Sequence, residues 1–175
     1  MSSIIRTIDD LGRVSIPKEI RRKLRIRAGD AFECSISPND EVIFKKYSVM
    51  DNINNSALQL CEAMHAVCGV IAVVTDRDSI VAAPIADQDL IGKRIGTDIA
   101  NVMSSYHHYL GNDSLYVFDN GSESYRTSVV VLIFNKGCVT GSVVILENEN
   151  YQGDNNTECR VAKTIASLLE KEIDI

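Results

Sequence analysis

The sequence predicts two domains: a small, mainly β, dimer-forming head over residues 1–50 and a larger α+β body over residues 51–175. Three observations lead there. The 175 residues, 45% hydrophobic and 24% charged, are enough for one medium domain or two small ones and too apolar for a disordered chain. The charge is divided: residues 1–47 carry ten basic and seven acidic side chains, a net of +3, while the rest carries eight and seventeen, within a total of −6. A polyanion is attracted to one end and repelled by the other. Finally, short β-type runs fill the first 47 residues, whereas helical apolar spacing opens and closes the remainder.

The head begins with the β-branched run Ile4-Ile5-Arg6-Thr7-Ile8, a turn cluster Asp9-Asp10-Leu11-Gly12, and a second run Arg13-Val14-Ser15-Ile16, which together read as strand, turn and strand. Pro17 opens a short helix over Lys18 to Leu24. On helical spacing Lys18, Arg21, Arg22 and Arg25 form one basic stripe, and Ile20 and Leu24 an apolar anchor. After Ala28-Gly29-Asp30, the residues Phe32, Cys34 and Ile36 alternate with Glu33 and Ser35 as a strand with one buried face would. Ser37-Pro38-Asn39-Asp40 turns the chain into a fourth strand, Glu41 to Lys45. Four strands and one short helix bury little core and leave open sheet edges, so two chains are expected to complete each other's sheet.

Seven of the fifteen residues from Arg13 to Arg27 are basic, five of them arginine, and only Glu19 is acidic. Arginine's planar fork suits phosphates and base edges better than the point charge of lysine. From the residues alone, a solvated helix face and a nucleic-acid-binding surface both remain open.

In the body, Ser48 to Asn55 reads as a linker merging into a helix whose inner face holds Leu58, Cys61, Met64, His65 and Cys68, with Gly69 as its stop. Strands follow at Val70–Thr75 and Ile80–Ala83, around an Asp76–Ser79 turn. A short helix lies near Ile99–Tyr106. Further strands are expected at Ser114–Phe118, Thr127–Phe134 and Cys138–Glu147, and the Asn150–Asn156 loop leads to a last helix near Thr157–Ile173.

Several constellations suggest chemistry and read better as structure. Cys61, His65 and Cys68 could face a metal from one helix, but Leu58 and Met64 share their spacing, as in an ordinary core face. His107-His108 between Tyr106 and Tyr109 reads as a surface cluster at a helix end. Gly92-Lys93-Arg94-Ile95-Gly96 lacks the ending of a phosphate loop and reads as a turn. No nucleophile elbow or dinucleotide fingerprint appears, so no enzyme, cofactor or metal is expected. The five cysteines form no C-x-x-C pair and are odd in number, which suits a reducing cytosol. Neither a signal peptide nor a membrane span is expected, the longest apolar run being Val129 to Phe134.

The run Ile5 to Arg22, then Leu24-Arg25-Ile26, Gly29-Asp30 and Glu41 to Tyr47, resembles the AbrB-type swapped-hairpin DNA-binding family over about 45 residues. The resemblance implies a β-barrel made by an interleaved homodimer through residues 1–50. It also implies contacts to double-stranded DNA from Arg6, Arg13, Arg21 and Arg22; Lys18 and Arg25 are added from the helical stripe. Reading would be largely of backbone and shape, hence sequence-tolerant. The element order of the body resembles a GAF-like domain, which implies a small-molecule ligand of unknown identity. An AbrB-type head on such a body resembles the sporulation regulators of spore-forming bacteria, implying a cytoplasmic, nucleoid-associated homotetramer joined through helices of the body. Whether it activates or represses stays open. The alternative is an antitoxin, because MazE-like antitoxins share a related head; their tails, though, are extended and charged, unlike this body.

Overall fold

The computed structural model describes residues 4–28, 30–119, 125–147 and 155–173. The chain divides into two compact units, Met1–Tyr47 and Ser48–Ile175.

In the first unit, residues 4–16 form two arms outside regular secondary structure, joined by a tight hairpin loop. Asp9 donates its N–H to the Arg13 carbonyl at 3.1 Å, and Gly12 donates to the Asp9 carbonyl at 2.9 Å. Gly12 sits at φ +75°, the left-handed conformation that closes a three-residue loop. The strands expected at Ile4–Ile8 and Arg13–Ile16 are not formed. The apolar side chains of the arms face solvent, with Ile5 90% exposed, and a two-stranded ribbon with no buried face is held weakly.

Helix α1 (Lys18–Lys23) follows the buried Pro17. It stops sooner than the basic stripe requires. Arg25 lies at φ +50° and donates its N–H to the Arg22 carbonyl at 3.3 Å, while Ile26 donates to the Arg21 carbonyl at 2.8 Å. This is the Schellman ending, with arginine where glycine is usual. Arg25 therefore leaves the helical stripe, which keeps Lys18, Arg21 and Arg22. Strands β1 (Phe32–Ile36) and β2 (Val42–Lys46) then pair antiparallel, Cys34 opposite Phe44 and Ile36 opposite Val42. The expected buried face at Phe32, Cys34 and Ile36 is not buried: Phe32 is half-buried, Cys34 and Phe44 are exposed, and Ile36 is 76% exposed. Two strands and a six-residue helix cannot cover it.

The second unit opens with a 3-10 turn, Val49–Ile53, that buries Met50 and Ile53 where a polar linker was expected. Helix α2 (Asn54–Cys68) ends at Gly69, φ +69°, whose N–H reaches the His65 carbonyl at 2.9 Å. Then come β3 (Ile71–Thr75), β4 (Ile80–Ala82), a 3-10 segment at Ile85–Leu90, α3 (Thr97–Ser105), β5 (Tyr109–Tyr116), β6 (Arg126–Asn135), β7 (Cys138–Leu146) and α4 (Asn155–Ile173). Strand β5 begins five residues before its expected start. Its polar, glycine-containing middle looks like a loop in sequence, and the β5–β6 register shifts between Leu110 and Leu115 to accommodate it. The expected loop 150–156 falls mostly outside the described residues.

The five strands form one antiparallel sheet in the order β4-β3-β7-β6-β5. Ala57 and Cys61 of α2 and Ile165 and Leu169 of α4 pack with Val74, Val131 and Ile145 in one apolar core. Ile99 and Met103 of α3 pack with Val73, Leu132 and Val144 in another. Successive strand side chains alternate between these cores, so the sheet is apolar on both faces and Val129 to Phe134 runs without a polar interruption. In the middle strands, Thr75 and Ser142 share a fully buried hydroxyl–hydroxyl bond at 2.8 Å. Beside it, a Cβ on Gly141 would lie 2.2 Å from the Thr75 carbonyl oxygen.

Candidate nucleic-acid interface

The head presents its cations on three local supports. Arg6 is exposed on the first arm, Arg13 stands at the hairpin loop, and Lys18, Arg21 and Arg22 are exposed on α1. Arg25 is half-buried, on the turn that ends the helix.

Arg13 is closely held. Asp9 Oδ1 accepts the backbone N–H groups of Leu11 at 3.0 Å and of Arg13 at 2.9 Å, and its Oδ2 accepts Arg13 Nε at 2.9 Å. One carboxylate thus shapes the loop and grips the guanidinium by its inner nitrogen. The Arg13 side chain still keeps 71% of its surface in solvent. The Arg13 N–H first, and its guanidinium second, favour the ionised carboxylate and hold Asp9 below the usual carboxylate range. Sequence reasoning passed over Asp9 as a turn residue. Its signal was present in the Asp-x-x-Gly-Arg spacing, where an aspartate folds back on amides two and four residues ahead.

Lys46 has a different task. Its Nζ lies 3.3 Å from Asp30 Oδ2 and donates to the Arg25 carbonyl at 3.5 Å, and Asp30 Oδ2 also accepts the Arg27 N–H at 2.8 Å. This knot ties β2 to the turn after α1.

Cys61 is fully buried, its thiol pushed up to about 12 by burial. Met64 and Cys68 border the same core, and the buried Nδ1 of His65 has no hydrogen-bond partner among the described residues. Among the described residues no three His, Cys, Asp or Glu side chains are grouped to hold a metal. His107 and His108 are exposed neighbours with opposite tautomers. His107 Nδ1 lies 2.6 Å from the Ser105 carbonyl and must donate, whereas His108 Nδ1 accepts the Leu132 N–H at 3.0 Å and must be bare. In the Gly92–Gly96 segment, Gly92 N–H reaches the Ile80 carbonyl at 2.8 Å and Ile80 N–H the Lys93 carbonyl at 3.0 Å, so it covers the β4 edge. An open pocket of about 390 Å³ is lined by Asp98, Tyr116, Phe118 and Asp119. Its carboxylates are engaged by backbone N–H groups: Asp98 Oδ2 accepts from Tyr116 at 3.1 Å and Asp119 Oδ1 from Thr97 at 2.6 Å. Among the described residues no helix is long and apolar enough to cross a membrane.

Comparison with known proteins bears on both units. Residues 52–174 match the family described as stage V sporulation protein T C-terminal, transcription factor. Residues 5–46 match the family described as antidote-toxin recognition MazE, bacterial antitoxin. Over 176 residues, spanning 99% of this chain and 98% of the relative, the sequence is 32% identical to stage V sporulation protein T of Bacillus subtilis (strain 168). Over 46 residues it is 46% identical to the transition state regulatory protein AbrB of the same organism, covering 26% of this chain and 47% of that one.

Proposed function

The chain belongs to the stage V sporulation protein T family of transcription factors, with an AbrB-type head, and from that premise we propose that the head reads duplex DNA while the body sets the geometry of the assembly. One observation carries this reading: the exposed cations of residues 6–22 share the head with a set of exposed apolar side chains, Ile5, Ile8, Leu11, Val14, Ile36, Val42 and Phe44. Such a set on so small a unit suits burial against a second copy. Interleaving two heads into a closed barrel would cover the apolar set and double the number of arginines facing the DNA.

Arg6, Arg13, Arg21 and Arg22, with Lys18 and Arg25 beside them, then contact phosphates and groove edges, and counterion release supplies most of the affinity. Preference among sequences rests on DNA shape. The body, with helices on both faces of an antiparallel sheet, is GAF-like, and its helices α2 and α4 join dimers into a tetramer. A small-molecule ligand of the body fits the same reading, as does a cytoplasmic, nucleoid-associated location in the control of sporulation genes.

The test is binding of the full chain to AT-rich and mixed-sequence duplexes across a salt series, beside a variant with Arg6, Arg13, Arg21 and Arg22 changed to Ala. The wild type is expected to lose affinity with salt at a slope of about −0.9 per phosphate contact, and the variant to lose most of that slope. Binding that is absent, or equal in the two proteins, defeats the proposal.

An antitoxin is the second reading, favoured by the MazE-type match over residues 5–46. Against it, the body has two apolar cores around a five-stranded sheet. Rapid cleavage of the body in limited proteolysis would favour the antitoxin; resistance favours the regulator.

A further inference from the structure

The Asp9–Arg13 pair raises a question of sign. A carboxylate beside a DNA-contacting arginine adds negative charge where a polyanion must approach, and simple electrostatics makes it a hindrance. The geometry points to the opposite: we propose that Asp9 is a positioning residue, which holds the Arg13 guanidinium by Nε so that its outer Nη edge meets DNA in a fixed orientation. This rests on the DNA-binding reading above.

Asp9 is itself fixed by its own loop. Its Oδ1 accepts two backbone N–H groups of the same loop, at 3.0 and 2.9 Å, so the carboxylate belongs to the turn and does not swing as a free surface anion. Its Oδ2 then takes Arg13 Nε at 2.9 Å. Arginine offers donors on more than one edge, and a bond through Nε leaves the Nη1–Nη2 edge as the outward fork, the edge that engages phosphate or guanine in two parallel bonds. The guanidinium stays largely in solvent, so the grip does not bury it.

An exposed ion pair of this kind adds little to stability. Its value lies in order: a long side chain fixed before binding loses less freedom on contact. Gly12 completes the device. Its φ of +75° brings Arg13 back over Asp9, so that the backbone N–H and the side chain of one residue meet the two oxygens of the other.

Asp9→Asn separates the two accounts. Asparagine keeps an oxygen for the loop amides and removes the charge at Oδ2. If Asp9 only repels DNA, this variant binds more tightly. If it positions Arg13, the variant binds about five- to tenfold more weakly in spite of its extra net positive charge, a coupling of the size found within one ion-paired network. Affinity for an AT-rich duplex is measured at low salt for wild type, D9N, R13A and the D9N/R13A double variant, with thermal unfolding of each. The expected result is weakening by D9N in the wild-type background and none in the R13A background. Equal weakening in both backgrounds makes Asp9 a turn-forming residue only, and unchanged or tighter binding by D9N alone makes it a local counter-charge; either overturns the proposal.

Should D9N unfold the head, Arg13→Lys gives the answer, since lysine keeps the charge without a planar fork for Asp9 to hold. Wild-type affinity in R13K overturns positioning, and a several-fold loss supports it. A wild-type chain that binds no DNA, or an R13A variant that binds as wild type does, overturns the DNA-reading role of the head or of Arg13 instead.

Discussion

His108 Nδ1 accepts the backbone N–H of Leu132 at 3.0 Å, and this fastens the turn after α3 to the edge of β6 just beyond the point where β5 pairing begins. Two residues on, the Phe134 N–H is taken by Glu170 Oε1 at 2.9 Å. Two side chains thus occupy edge donors of β6 that no strand reaches.

The His108 bond exists only while the ring is neutral. Burial lowers the His108 pKa, Lys163 and His107 add to the effect, and Glu170 opposes it. The folded value therefore lies below the unfolded one, near 6.5. This contribution is therefore complete above about pH 6.5 and is lost as pH falls through that value toward the folded pKa. Urea unfolding should show stability falling between pH 8 and pH 5.5, with about 0.5–1 kcal/mol belonging to this bond. His108→Asn keeps an acceptor that does not titrate and should flatten that part of the profile; an unchanged profile would exonerate His108.

The buried Thr75–Ser142 pair should behave non-additively. Ser142→Ala strands the Thr75 hydroxyl in the core and should cost about 1–3 kcal/mol. Adding Thr75→Val removes the stranded group, so the double variant should recover much of that loss in chemical denaturation. Costs that simply add would count against the pairing.

Neighbouring leucines on α4 offer a sharper contrast. Leu169 is 0% exposed and Leu168 is 44% exposed. Leu169→Ala should destabilise the body by about 2–5 kcal/mol. Leu168→Ala should leave unfolding within about 0.5 kcal/mol of wild type, while lowering the tetramer fraction in analytical ultracentrifugation if α4 joins dimers as proposed. A stable tetramer in Leu168→Ala would remove this residue from that interface.

Thiol reactivity should divide the cysteines by burial. Cys34 and Cys138 are exposed, whereas Cys61 is buried with its thiol raised to about 12. At pH 8 an alkylating reagent should label Cys34 and Cys138 first and Cys61 only after unfolding. Early loss of the Cys61 peptide in mass spectrometry would contradict its place in the core.

Much of the body is legible in the sequence because period and punctuation agree. Gly69 stops α2 where the helical spacing ends, and the Asn135-Lys136-Gly137 turn joins two long apolar runs that become β6 and β7. Only the first part of strand β5 escaped, because Gly111 and Asp113 disguise an irregular edge strand. In the head, local composition identifies the arms and the helix, but their strand character depends on apolar partners outside the local segment, which pattern alone cannot supply. Arg25 was misplaced because arginine is a good helix former, and nothing in its own identity announces a left-handed turn. The role of Asp9 was hidden by its commonness: aspartate in a turn is expected, and only three-dimensional geometry reveals which residue its second oxygen grips.

The two-sided sheet leaves the body with an alignment problem. Where one sheet face is wet, sliding a strand by one residue exposes its apolar set and is penalised at once. Here Val129, Val131 and Ile133 enter one core while Val130 and Leu132 enter the other, so the same slide merely exchanges valine for valine or leucine. Hydrophobicity hardly distinguishes the two alignments. Single-copy landmarks must do so: Ser142 finds a hydroxyl only opposite Thr75, and Gly141 alone tolerates the Thr75 carbonyl. Erasing both landmarks, as Ser142→Val with Gly141→Ala would, should therefore yield misaligned and slowly interconverting sheets as well as a weaker one.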